Sequence, residues 1–291
     1  LPDHVYPTAT HSRFEHSIGV AHLAQQLCRK LRKHNMPRGV EPPSERDILC
    51  VKLAGLCHDI GHGPFSHTFE TFASRGWGTK FSHEKMSEKL MDHLFKGPQS
   101  IRLADFSVVN DDGSEERLVE DEDLMFIKEL MVGTKPSERR GRKCAKFYLY
   151  DIVANKSFGV DVDRLDYLLR DKQCAIGNGT KAFSLDVILD NAEVRWQENE
   201  ATAGLARHPT IAFPLKVAGE LWKVFSARYE MFSTVYLHQK GMGRELLLCD
   251  VLEALSELPG LARNVLPGMT LEKAASRPDT FVRLDDHIVT R

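Results

Sequence analysis

His58-Asp59 is the pair of neighbouring side chains in this sequence best suited to hold a metal ion. It closes a run, Ile48 to Ile60, that is otherwise nearly all apolar. An imidazole and a carboxylate are costly to bury in such a run unless they are paired or metal-bound. Adjacent helical residues point about 100° apart, so both reach one ion only if it sits in the wedge between them. A hydrogen-bonded core histidine followed by a helix-end aspartate explains the dipeptide equally well, and by itself that plainer reading is the better one. Three other features bear on the choice. His16 stands on an apolar stripe, and His62 and His67 follow closely in His58-Asp59-Ile60-Gly61-His62-Gly63-Pro64-Phe65-Ser66-His67. The glycines in that string allow backbone to approach a ligand closely. Asp163, Tyr167 and Asp171 recur every four residues along one face, although acids in a first helical turn are also ordinary complements to the helix dipole.

The elements that must position these residues read as helices. His16, Leu23, Leu27 and Leu31 mark one face of a helix from Arg13 to His34, which turns His16 inward. Pro42 and Pro43 interrupt the chain, and Ser44 with Asp47 three residues on reads as a capped helix start. That helix runs to His58-Asp59 and stops at Gly61, Gly63 and Pro64. A third helix is expected from Ser82, with His83, Met86, Leu90 and Leu94 on one face. Residues 97–122 read as a loop or insertion, followed by a helix over 122–132. Lys135, Arg139, Arg140, Arg142, Lys143 and Lys146 crowd a stretch with one acid, which reads as a solvated, mobile surface loop. Helices are expected over 147–155, 161–172, 215–238 and 244–258, with a β pair from 194–197 and 210–213. The fold class is therefore mostly α with small β elements.

Composition narrows the function classes. The chain has 291 residues, a formal net charge of -2, and charged residues at 27%. Nothing global points to nucleic acid or a membrane, and no apolar run reaches eighteen residues. Six cysteines (Cys28, Cys50, Cys57, Cys144, Cys174 and Cys249) form no CxxC pair and read as reduced thiols of an intracellular protein, nuclear or cytoplasmic. The start at Leu1 rather than Met reads as a fragment of a longer chain, with residues 1–291 forming one domain.

Three segments together resemble a family: His11 to Ser17, Leu56 to His67, and Asp161 to Asp171. They are similar to HD-superfamily phosphohydrolases, in particular the deoxynucleoside triphosphate triphosphohydrolases that join a sterile alpha motif to an HD domain. The resemblance implies that residues 1–291 are a catalytic domain truncated at both ends, with an HD-type helical core and a metal held by His16, His58, Asp59 and Asp163. A mixed nitrogen and oxygen set suits zinc, iron or manganese, with magnesium accompanying the substrate phosphates. It also implies that activated water attacks the α-phosphorus, releasing deoxynucleoside and intact triphosphate and so lowering dNTP pools. The catalytic histidines would be His83 and His67, with His62 beside the phosphates. Substrate contacts would come from Arg13, Arg164, Arg228, Tyr167, Asp171 and Tyr236 together with His62 and His67. Asp171 would take the 3′ hydroxyl, and Tyr236 would crowd the 2′ carbon.

The chain departs from this family in places. Arg164 replaces a lysine of the animal members, keeping charge but changing a point charge to a fork. Leu237 replaces a glutamine. Residues 183–192 and 214–220 do not reproduce the basic and aromatic residues of the nucleotide-activated regulatory sites. A homo-oligomer (dimer or tetramer) and a GTP or dNTP activator remain expectations from the resemblance, with nucleic acid a weaker one. Two rival readings stand beside it. Another HD phosphohydrolase, acting on nucleoside monophosphates, cyclic nucleotides or alarmones, would share the metal set but would not need Tyr167, Asp171, Arg228 and Tyr236 together. A non-catalytic nucleotide- or nucleic-acid-binding module would not need all four metal positions intact.

Overall fold

A computed structural model of the chain describes residues 2–77, 81–97, 100–177, 181–197, 207–257 and 269–289. Its helices and strands, in chain order, begin with α1 (Arg13–Lys33), α2 (Glu45–Cys57), α3 (His67–Gly76) and α4 (His83–Lys96). A hairpin follows, β1 (Ser107–Val109) and β2 (Glu115–Arg117), then α5 (Glu120–Val132), α6 (Val162–Ala175) and α7 (Leu185–Asp190). The chain continues through β3 (Glu193–Trp196), β4 (Pro209–Ala212), α8 (Ala218–Met231), α9 (Gln239–Glu257), α10 (Leu271–Ser276) and α11 (Pro278–Phe281). Both sheets are two-stranded and antiparallel, so the expected mostly helical class holds.

The chain divides into two compact units. One comprises Thr10–His58 and Ile101–Met231. Here α1 lies on α2 and on α6. The expected stripe of α1 is buried at His16, Leu23, Leu27 and Leu31. Both helix starts carry a reciprocal capping box. At α2, Ser44 Oγ accepts the Asp47 N–H at 3.1 Å while Asp47 returns the bond to the Ser44 N–H at 3.0 Å. At α1, Ser12 and Glu15 do the same. Such caps satisfy amide donors that the first turn leaves open.

The other unit comprises Leu1–Ala9, Asp59–Ser100 and Phe232–Arg291. Its core joins Phe69 and Phe72 of α3, Met86 and Leu90 of α4, Leu252 of α9, Ala274 and Ala275 of α10, and Phe281, Leu284 and Ile288. Helix α3 packs on α9, and α4 on α11.

Several local expectations change. Residues 97–122 are more than a loop: they contain the β1–β2 hairpin, with Ser107 opposite Arg117. The segment expected as a helix over 147–155 is a 3-10 helix, Cys144–Asp151. The run expected as one helix over 215–238 is a 3-10 turn, then α8, then a π turn over Phe232–Tyr236 closed by Leu237 N–H donating to Phe232 O at 3.0 Å. Residue 258, the expected end of α9, lies outside the described residues. Helix α3 was not expected at all.

The basic stretch 135–146 is the clearest correction. It is not a solvated loop, because its cations have buried acids to meet. Arg142 donates to Asp47 Oδ1 at 2.7 Å and to Asp123 Oδ1 at 2.6 Å, and Lys146 reaches Asp47 Oδ2 at 2.5 Å. Arg46 closes the network on Asp123 Oδ2 at 2.8 Å, and the Arg142 guanidinium lies over Phe126. Arg139 donates to the carbonyls of Thr134 and Phe147. Lys135, Arg140 and Lys143 are the members that face solvent. Burial opposes the charge on Asp47, but Lys146 and Arg142 overcome it and hold the carboxyl below its ordinary range. Removing one partner of a buried pair strands the other charge. Arg142→Ala should therefore lower the free energy of unfolding in urea by about 3–5 kcal/mol. An unchanged urea midpoint would return this stretch to solvent.

Candidate functional site

In the first unit, three elements bring one side chain each to a common point. The Ser12 cap starts α1 so that His16 falls one turn in, on the buried face. Helix α2 ends at Cys57, and His58 is its C-cap residue. Asp161 caps α6, accepting the Arg164 N–H at 2.9 Å, which sets Asp163 in the first turn. His16 Nε2 lies 3.0 Å and His58 Nε2 3.4 Å from the same oxygen, Asp163 Oδ1. The donor atoms of His16, His58 and Asp163 all fall within 4.8 Å of one another.

The far side of each imidazole is tied down. His16 Nδ1 lies 2.8 Å from Asp166 Oδ2, and Asp166 is gripped in turn by Arg170, whose Nε and Nη2 each donate to it at 2.9 Å. His58 Nδ1 lies 2.9 Å from Gly55 O. A carbonyl has no proton to give, so the hydrogen of His58 sits on Nδ1. The ionised Asp166 likewise accepts from His16 Nδ1. In their neutral forms both rings therefore turn a lone pair at Nε2 toward the Asp163 carboxylate. Three acceptors facing one another require a cation among them, either protons on the rings or a metal ion. With protons on the rings, and although burial opposes it, hydrogen bonds from His16 and His58 hold the Asp163 carboxyl well below its usual range. Burial and the neighbouring Asp163 charge push Asp161 the other way, to about 6.

Gly19 makes room for this arrangement. A Cβ there would collide with the Asp166 carboxylate and the Arg170 guanidinium. Neither Gly19 nor Asp166 was singled out in the sequence. The available signal was the three-residue spacing His16 to Gly19 opposite Asp163 to Asp166.

Asp59 belongs to the other unit. There its carboxylate lies 3.5 Å from His62 Nε2, and it is not in the three-residue cluster above. That unit holds a second group, His62, His67 and His83, also with donor atoms within 4.8 Å of one another. The His62 and His83 rings stack at 4.0 Å, with His67 edge-on to both. Gly61 lets the chain touch α4: its N–H donates to Ser87 Oγ at 2.9 Å, and a Cβ would strike the His83 carbonyl. Glu70 ties the group together. One oxygen takes His83 Nδ1 at 2.8 Å and the His83 amide at 3.0 Å, and the other takes His67 Nδ1 at 3.1 Å. Sequence reasoning missed Glu70, because α3, which carries it one turn after His67, was not expected.

The expected substrate residues fall in both units. Arg164, Tyr167 and Arg228 are neighbours in the first. Burial raises the Tyr167 hydroxyl, against the positive charges of Arg164 and Arg228. Arg164 also donates to Gly159 O. Arg228 lies on the exposed side of α8, whose buried face is Val224, Ala227 and Met231. Arg13 is half-buried at the start of α1. Asp171 accepts from His11 Nε2 at 2.7 Å, a partner not expected for it. Tyr236 belongs to the other unit, on the π turn, with its ring edge-on to Phe232.

Residues 13–119 match the family model of the HD domain. The chain carries an HD domain. The match begins at the first residue of α1 and takes in His16, His58, Asp59, His62, His67 and His83. The chain is 32% identical over 295 residues to a Mus musculus protein named deoxynucleoside triphosphate triphosphohydrolase SAMHD1, covering 98% of this chain and 43% of that protein. It is 30% identical over 294 residues to the SAMHD1 homolog of Dictyostelium discoideum, covering 99% and 46%. With the Homo sapiens SAMHD1 it shares 35% over 257 residues, covering 85% and 37%. The chain thus spans between 37% and 46% of the length of these curated relatives. Among its described residues, no helix is long and apolar enough to cross a membrane.

Within this HD domain, Glu70 and His83 form a linked pair with a defined pH response. Burial penalises the imidazolium of His83, but the hydrogen bond and charge of Glu70 prevail and raise it above 6.5. Burial likewise opposes the Glu70 carboxylate, and the bonds from His67 and His83 hold it well below 4.5. The raised His83 stabilises the fold fully below 6.5 and less as pH rises through its folded value. The lowered Glu70 does so fully above 4.5 and less as pH falls through its folded value. The contact is therefore at full strength between those two values. In Glu70→Gln, the His83 midpoint followed by NMR should fall, because burial remains while the strongest opposing anion is gone, with Asp59 and Glu84 left to raise it. An unmoved midpoint would detach Glu70 from His83.

Proposed function

We propose that this chain is the catalytic part of a metal-dependent hydrolase that converts deoxynucleoside triphosphates to deoxynucleoside and inorganic triphosphate, lowering dNTP pools. The observation that carries the reading is the pair of anchored imidazoles. His16 and His58 each commit Nδ1 to a fixed acceptor and present Nε2 to the ionised Asp163. Histidine ligands of metals are characteristically oriented by such outer bonds, which fix the tautomer and raise ligand basicity. The donor set fits a divalent metal on these grounds. Zinc, iron and manganese all suit two imidazoles with carboxylate. The sequence resemblance adds Asp59 to the set.

Bound there, the metal would supply Lewis-acid activation of water and of the phosphate, with magnesium accompanying the substrate phosphates. The remaining tasks belong to side chains. His83 keeps Nδ1 on Glu70 and so carries its transferable proton at Nε2, which suits it to protonate the departing 5′ oxygen. His67 shares Glu70, and His62 stacks on His83, which suits these two to orient that acid and meet phosphate oxygens. Arg164 and Arg228 place positive charge around Tyr167, with Arg13 a further cation for a triphosphate. Asp171 would exchange its bond from His11 for one from the 3′ hydroxyl. Tyr236 would exclude ribose by shape, a discrimination that is incomplete by nature.

The names of the relatives support the substrate class. Self-association and activation by GTP or a dNTP are carried by the resemblance alone, and an intracellular site of action, in nucleus or cytoplasm, rests on the six free cysteines.

Product analysis is the direct test. With dGTP and Mn²⁺ or Mg²⁺, with and without GTP, ³¹P NMR should show intact triphosphate appearing, and chromatography should show deoxyguanosine. Pyrophosphate or orthophosphate as first product would contradict the reading. In the same assay, Tyr236→Ala should raise turnover of GTP relative to dGTP by roughly one order of magnitude. An unchanged ratio would remove Tyr236 as the sugar gate.

A further inference from the structure

His67 ends a loop whose backbone is unusual. Among the described residues, Phe65 (φ 58°) and Ser66 (φ 59°) are the two non-glycine residues with positive φ, and they are consecutive. Ser66 pairs its φ with ψ -119°, a combination that turns normally give to glycine. Left-handed backbone at bulky residues persists only where surroundings over-determine it. Local backbone bonds close the turn, with Ser66 N–H donating to Gly63 O at 2.9 Å and Thr68 N–H to Phe65 O at 3.2 Å, while the Ser66 side chain adds no capping bond to α3.

A side-chain acceptor for the turn comes from far along the chain. The Phe65 N–H donates to Asp286 Oδ1 at 2.7 Å, across 221 residues. That is short for N–H···O, as expected when the acceptor is ionised. Asp286 opens the short 3-10 turn Asp286–Val289, whose Ile288 sits in the same core as Phe69 and Phe72 of α3. The Phe65 ring packs against that core too. The acceptor is thus fixed to the body that α3 rests on.

We propose that Asp286 is a positioning residue: by holding the Phe65 amide, its carboxylate maintains the left-handed turn at Phe65-Ser66 and so aims His67 and, through Glu70, His83. This rests on the assignment of His67 and His83 to the reaction. The chain of contact is short. Ser66 is followed directly by His67, and Glu70 bonds to both His67 and His83. Slack in the turn would spread to both imidazoles.

The test uses the full chain labelled with ¹⁵N. In the wild type the Phe65 amide should be protected from solvent exchange. Asp286→Ala should lose at least about tenfold of that protection and shift the imidazole ¹⁵N signals of His67 and His83. Asp286→Asn, whose amide oxygen can accept the same bond, should retain both. Ser66→Gly in the Asp286→Ala background should recover the imidazole signals, since glycine tolerates this backbone without help. On dGTP, Asp286→Ala should lower kcat by on the order of ten- to a hundredfold, with KM changed less than about threefold. If the wild type releases no triphosphate, the hydrolase reading fails while the NMR comparison still decides the role of Asp286. Unchanged Phe65 protection in Asp286→Ala, or loss in Asp286→Asn equal to that in Asp286→Ala, overturns the proposal. Should Asp286→Ala fail to fold, Asp286→Asn decides: wild-type Phe65 protection supports the role and its loss overturns it.

Discussion

The bond from His16 Nδ1 to Asp166 is the constraint on which the metal-type cluster depends. It spans 150 residues and joins α1 to α6 at 2.8 Å. Because Nδ1 is committed, Nε2 of His16 can only face Asp163, three residues earlier on the same helix as Asp166. One helix thus supplies both the anchor and the opposing carboxylate, and a ring held between them has little freedom. Gly19 is the steric condition for it, since any side chain there would occupy the place of Asp166. The bond from His58 Nδ1 to Gly55 O repeats the logic within one turn of α2.

The second histidine group is built on the same principle with opposite electrostatics. Glu70 takes Nδ1 from His67 and from His83, and its charge favours the imidazolium of His83. The first cluster presents lone pairs toward a carboxylate, whereas this one favours retained protons. The difference comes from the acceptors. Asp163 faces both rings with one oxygen, while Glu70 offers one oxygen to each ring.

Elements with a regular period or a side-chain cap were legible in the sequence. The stripe of α1, the Ser44–Asp47 box of α2, the start of α4 at Ser82 and the β3–β4 pair all appear near their expected places. Helix α3 was hidden because its entry is a strained turn rather than a cap, and the preceding glycines and proline read as a stop. The hairpin was hidden by its brevity, three residues a strand. The basic stretch was misjudged because its partners, Asp47 and Asp123, lie 95 and 19 residues from Arg142, and no local pattern announces them. At the site, the histidines and acids that the fold brings together were legible, and those that orient them were not. Asp166, Glu70 and His11 act through tertiary contacts with histidines or acids on other elements. Asp59 is the converse case, a residue legible by motif whose carboxylate lies beside His62.

The central claim is that His16, His58 and Asp163 form a metal site whose imidazoles bind through Nε2. X-ray absorption on the purified chain, with metal content measured in parallel, tests it most directly. The account predicts one tightly bound divalent ion per chain, two imidazole nitrogens and carboxylate oxygen among its ligands, and loss of the ion in a folded Asp163→Ala variant. A wild-type chain that binds no metal under saturating conditions, or an ion that keeps its full imidazole shell when His16 and His58 are both replaced, would contradict it.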